Sequence, residues 1–266
     1  MSIRQTPWPD GYPCWVDLGS SDRLGAWDYY TAVLGWQIRD TGPEMGHYGL
    51  GSIDGHSVGA IGQAMPGMPS GWTVYFATSD LDKTAAAVTE AGGSLLMPPG
   101  DVGPPGRMAI AADPTGAVFA LWQAGVNPGF RVTGEPGAPS WFDLQTRDLP
   151  AAQAFYTAVF GWQHLAMGDG SDYSTVPGDM PGGMICGLGA IGADVPADVP
   201  AHWRVYFAVG DADGAASTTA AQGGSVVMEP SDTPYGRMSI LTDPQGASFV
   251  VLGPVSTAQP SEGENS

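Results

Sequence analysis

The amino-acid sequence predicts an α+β protein that is a tandem repeat of two similar domains. Residues 13–37 read PCWVDLGSSDRLGAWDYYTAVLGWQ and residues 139–163 read PSWFDLQTRDLPAAQAFYTAVFGWQ, so 13 of 25 positions agree at an offset of 126. Residues 106–117 (GRMAIAADPTGA) and 236–247 (GRMSILTDPQGA) agree at 8 of 12 positions. Solenoid repeats are only ~20–50 residues long, so each copy here is a whole domain.

Each half begins with a short strand that leads into an amphipathic helix. Residues 14–19 and 140–145 alternate apolar and polar side chains, as a half-buried strand does. We expect Asp22 and Asp148 to cap the helices that follow, because aspartate accepts hydrogen bonds from the free N–H groups of a first turn. Apolar residues then recur at the helical period, and a glycine ends each helix. These glycines are Gly35 and Gly161.

The second part of each half repeats this order of elements. A strand at 72–78 or 203–209 leads to a helix that begins after an aspartate and ends at a Gly-Gly pair, and three strands follow. Each half is therefore two βαβββ units, which we expect to form cupped mixed sheets. The predicted organisation is a first domain at 1–124, a linker at 125–138, a second domain at 139–254 and a disordered tail at 255–266.

Aspartate-proline motifs recur near the end of each half. Asp113-Pro-Thr-Gly and Asp243-Pro-Gln-Gly carry Asp, Pro and Gly at the positions that a type I turn prefers. We interpret both as turns between strands. The Gly-Gly pairs are interpreted as helix stops rather than phosphate-binding loops, because no helix begins after them.

Composition excludes several classes of function. The chain has 9 basic and 27 acidic residues and a formal net charge of −18, which argues against nucleic acid as a partner. No apolar run approaches the ~18 residues needed to span a bilayer, and the N-terminus lacks the apolar core of a signal peptide. We expect a cytoplasmic protein, a monomer or weak homodimer, with Cys14 and Cys186 reduced and packed in the interior.

Two tryptophan-aspartate pairs are the first candidates for a functional site. Trp15 and Asp17 lie two residues apart on a strand and share one face, as do Trp141 and Asp143. A carboxylate in the concavity of a sheet is costly unless it is paired or hydrogen-bonded. One interpretation is a structural aspartate, paired with an arginine. The other is a polar anchor for a ligand that stacks on the tryptophan.

Arginine is scarce in this chain, and one arginine recurs inside a strand of each half. Arg107 and Arg237 are interpreted either as anchors for an anion or carbonyl group, or as ion-pair partners of Asp17 and Asp143. His202, beside a strand start, is the histidine of most interest. Further aromatic side chains are candidates to line the pocket: Trp72, Tyr75, Trp122, Trp203 and Tyr206.

The chain carries the blocks W-x-D-L-x(3)-D, F-Y-x(3)-F-G-W, V-Y-F-A-V-x-D and G-R-M…D-P-x-G-A, and the pattern extends over nearly the whole chain apart from the tail. This pattern resembles the vicinal oxygen chelate superfamily, the glyoxalase, bleomycin-resistance and extradiol-dioxygenase group. Within it the chain looks like the tandem two-domain glyoxalase-like proteins of actinobacteria, some labelled hydroxylases. The resemblance implies two glyoxalase-like domains with a pocket in each cupped sheet.

The resemblance also implies positions for metal ligands, and this chain departs from the pattern at each. The first-strand histidine of metal-dependent members falls on Trp15 and Trp141, and the eighth-strand glutamate falls on Ala120 and Val250. The fifth-strand ligand falls near Val74 and Val205, and the predicted fourth strands, about residues 57–62 and 184–190, hold no acid or histidine. We therefore expect no metal and no cofactor, and neither glyoxalase nor extradiol-dioxygenase chemistry.

Two functions remain open at this point. The first is a metal-free small-molecule-binding protein of the glyoxalase/bleomycin-resistance type, with aromatic pockets for a hydrophobic or planar metabolite or antibiotic. The second is a metal-independent enzyme of secondary metabolism, a hydroxylase, isomerase or lyase. In that case Asp17, Asp143 or His202 would serve as the base, and Arg107 or Arg237 would stabilise an enolate or oxyanion.

Overall fold

A computed structural model of the protein describes residues 3–168, 171–180 and 182–255. It contains two eight-stranded mixed sheets of the same topology, one in each half of the chain, which confirms the predicted α+β tandem repeat. The predicted disordered tail lies outside the described residues, apart from Val255. Within the described part of the chain, no helix has the length and apolar character needed to cross a membrane.

The bounds of the elements are as follows. The first half contains β1 (Pro13–Ser20), α1 (Arg23–Leu34), β2 (Gln37–Asp40), a 3-10 turn (Pro43–Met45), β3 (Gly49–Ile53), β4 (His56–Gln63), β5 (Gly71–Ala77), α2 (Leu81–Glu90), β6 (Ser94–Asp101), β7 (Gly106–Ala112) and β8 (Val118–Ala124). The second half contains β9 (Pro139–Thr146), α3 (Leu149–Phe160), β10 (Leu165–Ala166), β11 (Tyr173–Pro177), β12 (Met184–Ala190), β13 (His202–Ala208), α4 (Ala212–Ala221), β14 (Ser225–Thr233), β15 (Gly236–Thr242) and β16 (Ser248–Gly253).

Each sheet consists of two four-stranded βαβββ units joined at the middle. The order in the first sheet is β2-β3-β4-β1-β5-β8-β7-β6, and the second sheet repeats it as β10-β11-β12-β9-β13-β16-β15-β14. The first and fifth strands of each half meet antiparallel at the centre, with Trp15 opposite Tyr75 and Trp141 opposite Tyr206. The strands that carry the tryptophan-aspartate pairs, β1 and β9, therefore lie at the centre of their sheets.

The predicted helix boundaries are confirmed by the capping geometry. The Asp22 side chain accepts a hydrogen bond from Gly25 N, and the Asp148 side chain accepts one from Ala151 N. Gly35 then ends α1 with φ 71° and ψ 21°, a left-handed conformation that favours glycine because it has no Cβ. Gly161 ends α3 in the same way.

The two domains pack through the helix-bearing faces of their sheets. Phe76 of the first domain and Trp203 of the second lie with ring centroids 4.9 Å apart, and Trp36 packs edge-on against Phe207 at 5.7 Å. A continuous core of aromatic side chains therefore joins the halves, and the opposite, concave face of each sheet points away from this interface.

The D-P-x-G motifs are turns, as predicted, and they also tie the domains together. Asp113 Oδ1 accepts hydrogen bonds from the backbone of its own turn, while Oδ2 accepts one from the Tyr156 hydroxyl of the other domain at 3.1 Å. Asp243 Oδ2 of the second domain likewise accepts a hydrogen bond from the Tyr30 hydroxyl of the first domain at 3.1 Å. The motif thus holds each domain against the first helix of its partner domain.

The segment between the domains is packed rather than free. It has no helix or strand between Ala124 and Pro139, in keeping with its Gly and Pro content. Phe130 is fully buried, and its N–H donates to Cys14 O on the central strand of the first sheet at 2.8 Å. Cys14 and Cys186 are both free and buried, as predicted.

Candidate functional site

Strand alternation divides each sheet into a helix-bearing face and a concave face. Trp72, opposite Leu18, contacts the helix α1 through Tyr30 and so marks the helix side. Trp15 and Asp17 alternate with Leu18 along β1 and therefore lie on the concave side. The prediction that each tryptophan shares a concave face with its aspartate is confirmed.

In the first domain, tyrosine hydroxyls surround the carboxylate of Asp17. Its Oδ2 accepts hydrogen bonds from the Tyr75 hydroxyl at 2.7 Å and the Tyr48 hydroxyl at 2.9 Å. The Tyr48 oxygen in turn accepts one from Trp15 Nε1 at 3.2 Å. Burial raises the pKa of the Asp17 carboxyl to about 6, although both tyrosine hydroxyls act to lower it.

The second domain builds a related site around Asp143. Its Oδ2 accepts hydrogen bonds from the Tyr206 hydroxyl and from Gln145 Nε2, both at 3.0 Å. Trp141 Nε1 donates to the Tyr173 hydroxyl at 3.0 Å. Asp143 is 3% exposed, and its other oxygen, Oδ1, is buried with no hydrogen-bond partner among the described residues.

The two sites differ in charge and in the exposure of the indole. The residue opposite Asp143 on the fifth strand is Arg204, where the first domain has Thr73 opposite Asp17. Burial raises the pKa of the Asp143 carboxyl, and the positive charge of Arg204 opposes that rise. Trp15 is only 4% exposed, whereas Trp141 is partly exposed. The second site therefore offers the more accessible aromatic surface.

Tyr48 and Tyr173 are site residues that the sequence analysis missed. They recur at an offset of 125, in the variable region between the first helix and the fourth strand, where no repeat block marks them. The glycines beneath them are a usable signal. A Cβ at Gly62 would lie 3.0 Å from the Tyr48 ring, and a Cβ at Gly187 would overlap the Tyr173 hydroxyl. Glycine on the fourth strand leaves room for each tyrosine to reach across the sheet.

The prediction that Trp72 and Trp203 line a pocket with Trp15 and Trp141 is wrong. Both lie on the helix side, in the aromatic core between the domains. Trp72 Nε1 donates to the Tyr30 hydroxyl at 3.1 Å, and Trp203 Nε1 donates to the Tyr156 hydroxyl at 2.8 Å. They orient the tyrosines that hold the domains together.

Tyr75, Tyr206 and Trp122 do lie on the concave side. Tyr75 and Tyr206 are opposite the two candidate tryptophans and donate to the two aspartates. Trp122 sits opposite Ala77 near the end of the same face, and its Nε1 donates to Asn127 O at 3.0 Å.

The prediction for Arg107 and Arg237 is also wrong, both as partners of Asp17 and Asp143 and as anchors beside them. Arg107 lies on the helix side and donates to Asp82 of α2 at 2.8 Å, with Asp101 at 3.2 Å. Strand alternation put it on the opposite face from Asp17. These exposed ion pairs raise the pKa of the guanidinium and contribute little to stability.

Arg237 repeats this arrangement in the second domain. Its guanidinium donates to Asp213 of α4 at 2.8 Å and to Asp232 of the neighbouring strand at 3.1 Å. Arg107 and Arg237 thus both pair with an aspartate in the first turn of the second helix of their own half. These aspartates recur in the sequence at equivalent positions. The arginine recurs because in each half it forms an ion pair between a strand and the second helix.

His202 lies at the edge of the second concave face. It is opposite Gln145, which bonds Asp143, and its Nδ1 lies 2.9 Å from Pro200 O. Burial lowers the pKa of its imidazole. It is thus near the candidate carboxylate without contacting it.

The row that would carry metal ligands is fixed by strand register. In the first domain this row runs Trp15, Tyr75, Ala120 on the concave face, and Val74 faces the helices instead. In the second it runs Trp141, Tyr206, Val250. These side chains do not fit a divalent metal, since indole, methyl and isopropyl groups offer no ligand atom and the phenols of Tyr75 and Tyr206 keep their protons to donate to Asp17 and Asp143. Nor do the described residues contain any cluster of three or more His, Cys, Asp or Glu side chains suited to a metal.

Two cavities border the turns that precede the second helix of each half. One, of about 250 Å³, borders the start of α4 and is lined by Pro136, Val209 and Asp211 among others. The other, of about 260 Å³, borders the start of α2 and is walled by Trp8 and Trp122. Neither is lined by the candidate tryptophan-aspartate pairs, so they are alternative places for a ligand.

The pKa of Asp17 predicts a pH-dependent effect of Asp17→Asn. A raised pKa means that the folded state holds the proton more tightly than the unfolded state. Ionising Asp17 therefore lowers the free energy of unfolding progressively as pH rises from about 3.8 to about 6, and this loss remains at higher pH. Asparagine carries no such cost and can still accept from Tyr48 and Tyr75. We expect the variant's gain in unfolding free energy to grow from about 1.5 kcal/mol at pH 5 to about 3 kcal/mol at most at pH 7.5. Urea denaturation at both pH values measures it, and a gain independent of pH would contradict this account.

Comparison with known proteins gives a consistent result. A family model described as Glyoxalase/Bleomycin resistance protein/Dioxygenase superfamily matches residues 18–121 and 138–251. Anthracycline biosynthesis protein DnrV of Streptomyces peucetius is 42% identical over 268 residues, covering 93% of this chain and 94% of that protein. CFP32 of Mycobacterium bovis is 40% identical over 261 residues, covering 94% and 98%.

Solved structures resemble this chain in fold alone. The Mn(II)-bound glyoxalase from Novosphingobium aromaticivorans has a TM-score of 0.62 at 15% identity, over 97% of this chain and 87% of that one. The 2,3-dioxygenase LapB from Pseudomonas sp. KL28 has a TM-score of 0.63 at 17% identity, over 98% and 97%.

Proposed function

The chain belongs to the glyoxalase/bleomycin resistance protein/dioxygenase superfamily, and on that premise we propose that it is a metal-free small-molecule-binding protein. It holds a planar, hydrophobic metabolite on the concave face of its sheets, stacked on a tryptophan and oriented by a buried aspartate. The ligand-contacting residues proposed are the concave ones: Trp15, Asp17, Tyr75, Trp122, Trp141, Asp143 and Tyr206.

One observation carries this proposal: an aspartate carboxylate, half-buried at Asp17 and buried at Asp143, lies next to a tryptophan at the centre of each concave face. Placing a carboxylate in a weakly polar site is costly, and tyrosine or glutamine donors only partly offset the cost. The arrangement is present in both halves although the neighbours of the carboxylate differ. Tyr48 donates to Asp17, whereas Gln145 donates to Asp143 and Arg204 lies opposite it. An aromatic floor with one polar group is the usual composition of a site for a flat apolar ligand.

The relatives suggest which ligands to try. DnrV, 42% identical to this chain, is named as an anthracycline biosynthesis protein. Anthracyclines contain fused aromatic rings, and a ligand of that shape suits stacking on an indole. We therefore propose a fused-ring aromatic polyketide as the class of ligand.

The alternative is a metal-independent enzyme acting on such a molecule, and Asp17 favours it. A half-buried carboxylate with a pKa of about 6 is suited to accept a proton near neutral pH. Tyr48 and Tyr75 hold that carboxylate in place through its Oδ2. The two functions differ in whether a bound compound changes in mass.

Native mass spectrometry tests the proposal directly. The chain mixed with 2-hydroxyanthraquinone should show a ligand adduct, whereas 1,4-cyclohexanedione, which has no aromatic face, should show none. The bound compound should keep its mass over hours; a time-dependent change that Asp17→Asn prevents would support the enzyme instead. Absence of any adduct at micromolar concentrations would overturn the binding proposal.

A further inference from the structure

We infer that the second domain recognises the ligand's edge through Asp143 Oδ1, which accepts a hydrogen bond from a phenolic hydroxyl of a fused-ring ligand stacked on Trp141. This inference rests on the proposed function and specifies which half binds, by which atom and through which chemical group. It follows from the burial of one carboxylate oxygen, the exposure of the neighbouring indole and the distance between them.

The two carboxylate oxygens of Asp143 differ in their hydrogen bonds. Its Oδ2 has two donors, Tyr206 and Gln145, whereas the buried Oδ1 has none among the described residues. A buried oxygen without a donor costs about as much as a lost hydrogen bond, and native proteins rarely leave one so. A site that binds a donor at this oxygen recovers that cost on binding.

The charge of Asp143 and of the groups around it restricts which ligand group can bind at Oδ1. The oxygen that lacks a donor belongs to a carboxylate, so its partner must bring a hydrogen and no negative charge. The groups around it are Arg204 on the opposite strand, the Tyr206 and Tyr173 hydroxyls, His202 at the edge and the buried Cys186 thiol. Arg204 favours the ionised form of Asp143. A neutral phenol fits this setting, and a ligand carboxylate would meet repulsion from Asp143.

The spacing of Trp141 and Asp143 along their strand sets a minimum size for the ligand. Trp141 and Asp143 are two residues apart on one strand, and a strand rises ~3.3 Å per residue, so the indole and the carboxylate are separated by roughly 6.6 Å along it. A single benzene ring centred on the indole would not reach the oxygen. A system of two or three fused rings would cover the indole and bring a hydroxyl on its edge to Asp143.

The first domain does not offer the same recognition. Trp15 is 4% exposed and its Nε1 is bound to Tyr48, which also closes over Asp17. Thr73 stands where the second domain has Arg204. The halves thus share one arrangement, and the accessible indole and the buried oxygen without a donor among the described residues occur together in the second.

The experiment compares two probes that share one ring system and differ in whether the oxygen at its edge carries a hydrogen or a methyl group. 2-Hydroxyanthraquinone can donate to Asp143, whereas 2-methoxyanthraquinone has the same ring system and cannot. Affinities are measured by titration calorimetry on the full chain, and on Asp143→Asn, Asp17→Asn and Asp54→Asn. Asp54 is an exposed turn residue in the left-handed region, so its asparagine variant matches the loss of one charge away from both sites.

We expect the unaltered chain to bind the hydroxyl probe about 10- to 100-fold more tightly than the methyl ether, the range for a hydrogen bond to a charged group. Asp143→Asn should remove that preference, because Tyr206 and Gln145 hold the amide oxygen at the Oδ2 position and leave an NH₂ donor at the Oδ1 position. Asp54→Asn should keep the preference. A preference that survives in Asp143→Asn, or is lost in Asp17→Asn instead, would overturn the inference.

The unaltered chain alone keeps the inference testable if Asp143→Asn does not fold. Binding of both probes with equal affinity would overturn this inference and leave the proposed function standing. Failure to bind either probe would overturn both.

Discussion

Trp36→Ala is expected to lower the free energy of unfolding by about 3–5 kcal/mol, the range for removing a buried aromatic side chain. Trp36 is 1% exposed, and its ring contacts Trp72 in its own domain and Phe207 in the other. Its Nε1 donates to Gly137 O in the interdomain segment at 2.7 Å. The substitution thus removes packing from both domains and one tie to the segment that joins them.

Urea denaturation followed by far-UV circular dichroism measures this effect. Trp27→Ala is the matched control, because Trp27 of α1 is partly exposed and its hydrogen-bond and cation–π partners, Ile61 O and the Arg23 guanidinium, belong to the first domain. We expect a loss for the control at least two-fold smaller. A loss below about 1 kcal/mol for Trp36→Ala would contradict the view that this aromatic core joins the domains.

The second large effect is expected on binding. Trp141→Ala should weaken binding of 2-hydroxyanthraquinone by about 30- to 1,000-fold, the cost of removing the aromatic centre of a binding site. Because Trp141 is partly exposed, the variant should stay folded. Trp15→Ala offers the contrast, since a 4% exposed indole is a core residue whose loss should cost stability first.

Circular dichroism of both variants and calorimetry with the probe separate these outcomes. Unchanged affinity in a folded Trp141→Ala variant would exclude Trp141 as the stacking surface. Unfolding of Trp141→Ala would show that this indole belongs to the core, and Asp143→Asn would then carry the test of the site.

Much of the fold could be predicted because the chain repeats itself. Two independent copies of each pattern showed which features are structural, so helix starts at Asp22 and Asp148 and stops at Gly35 and Gly161 follow from local chemistry alone. The period of two along a strand likewise put Trp15 and Asp17 on one face.

The misplacement of Trp72 and Arg107 has one physical cause. Strand periodicity tells which residues of one strand share a face, but the match between faces of different strands depends on register, which a sequence does not display. The sequence predicts Trp72 and Arg107 on the face of Trp15, whereas both lie on the helix side. Tyr48 was missed because it enters the site from outside the repeat blocks.

The central claim is that a planar ligand stacks on Trp141 in the concave face of the second domain, and indole NMR tests it most directly. The chain has 9 tryptophans, whose ¹⁵N-labelled indole N–H signals can be assigned by single substitutions to phenylalanine. On adding 2-hydroxyanthraquinone, the Trp141 signal should shift while those of the core residues Trp36 and Trp162 hold still. An unmoved Trp141 signal, with shifts at Trp8 and Trp122 beside the 260 Å³ cavity or at no tryptophan, would contradict the claim.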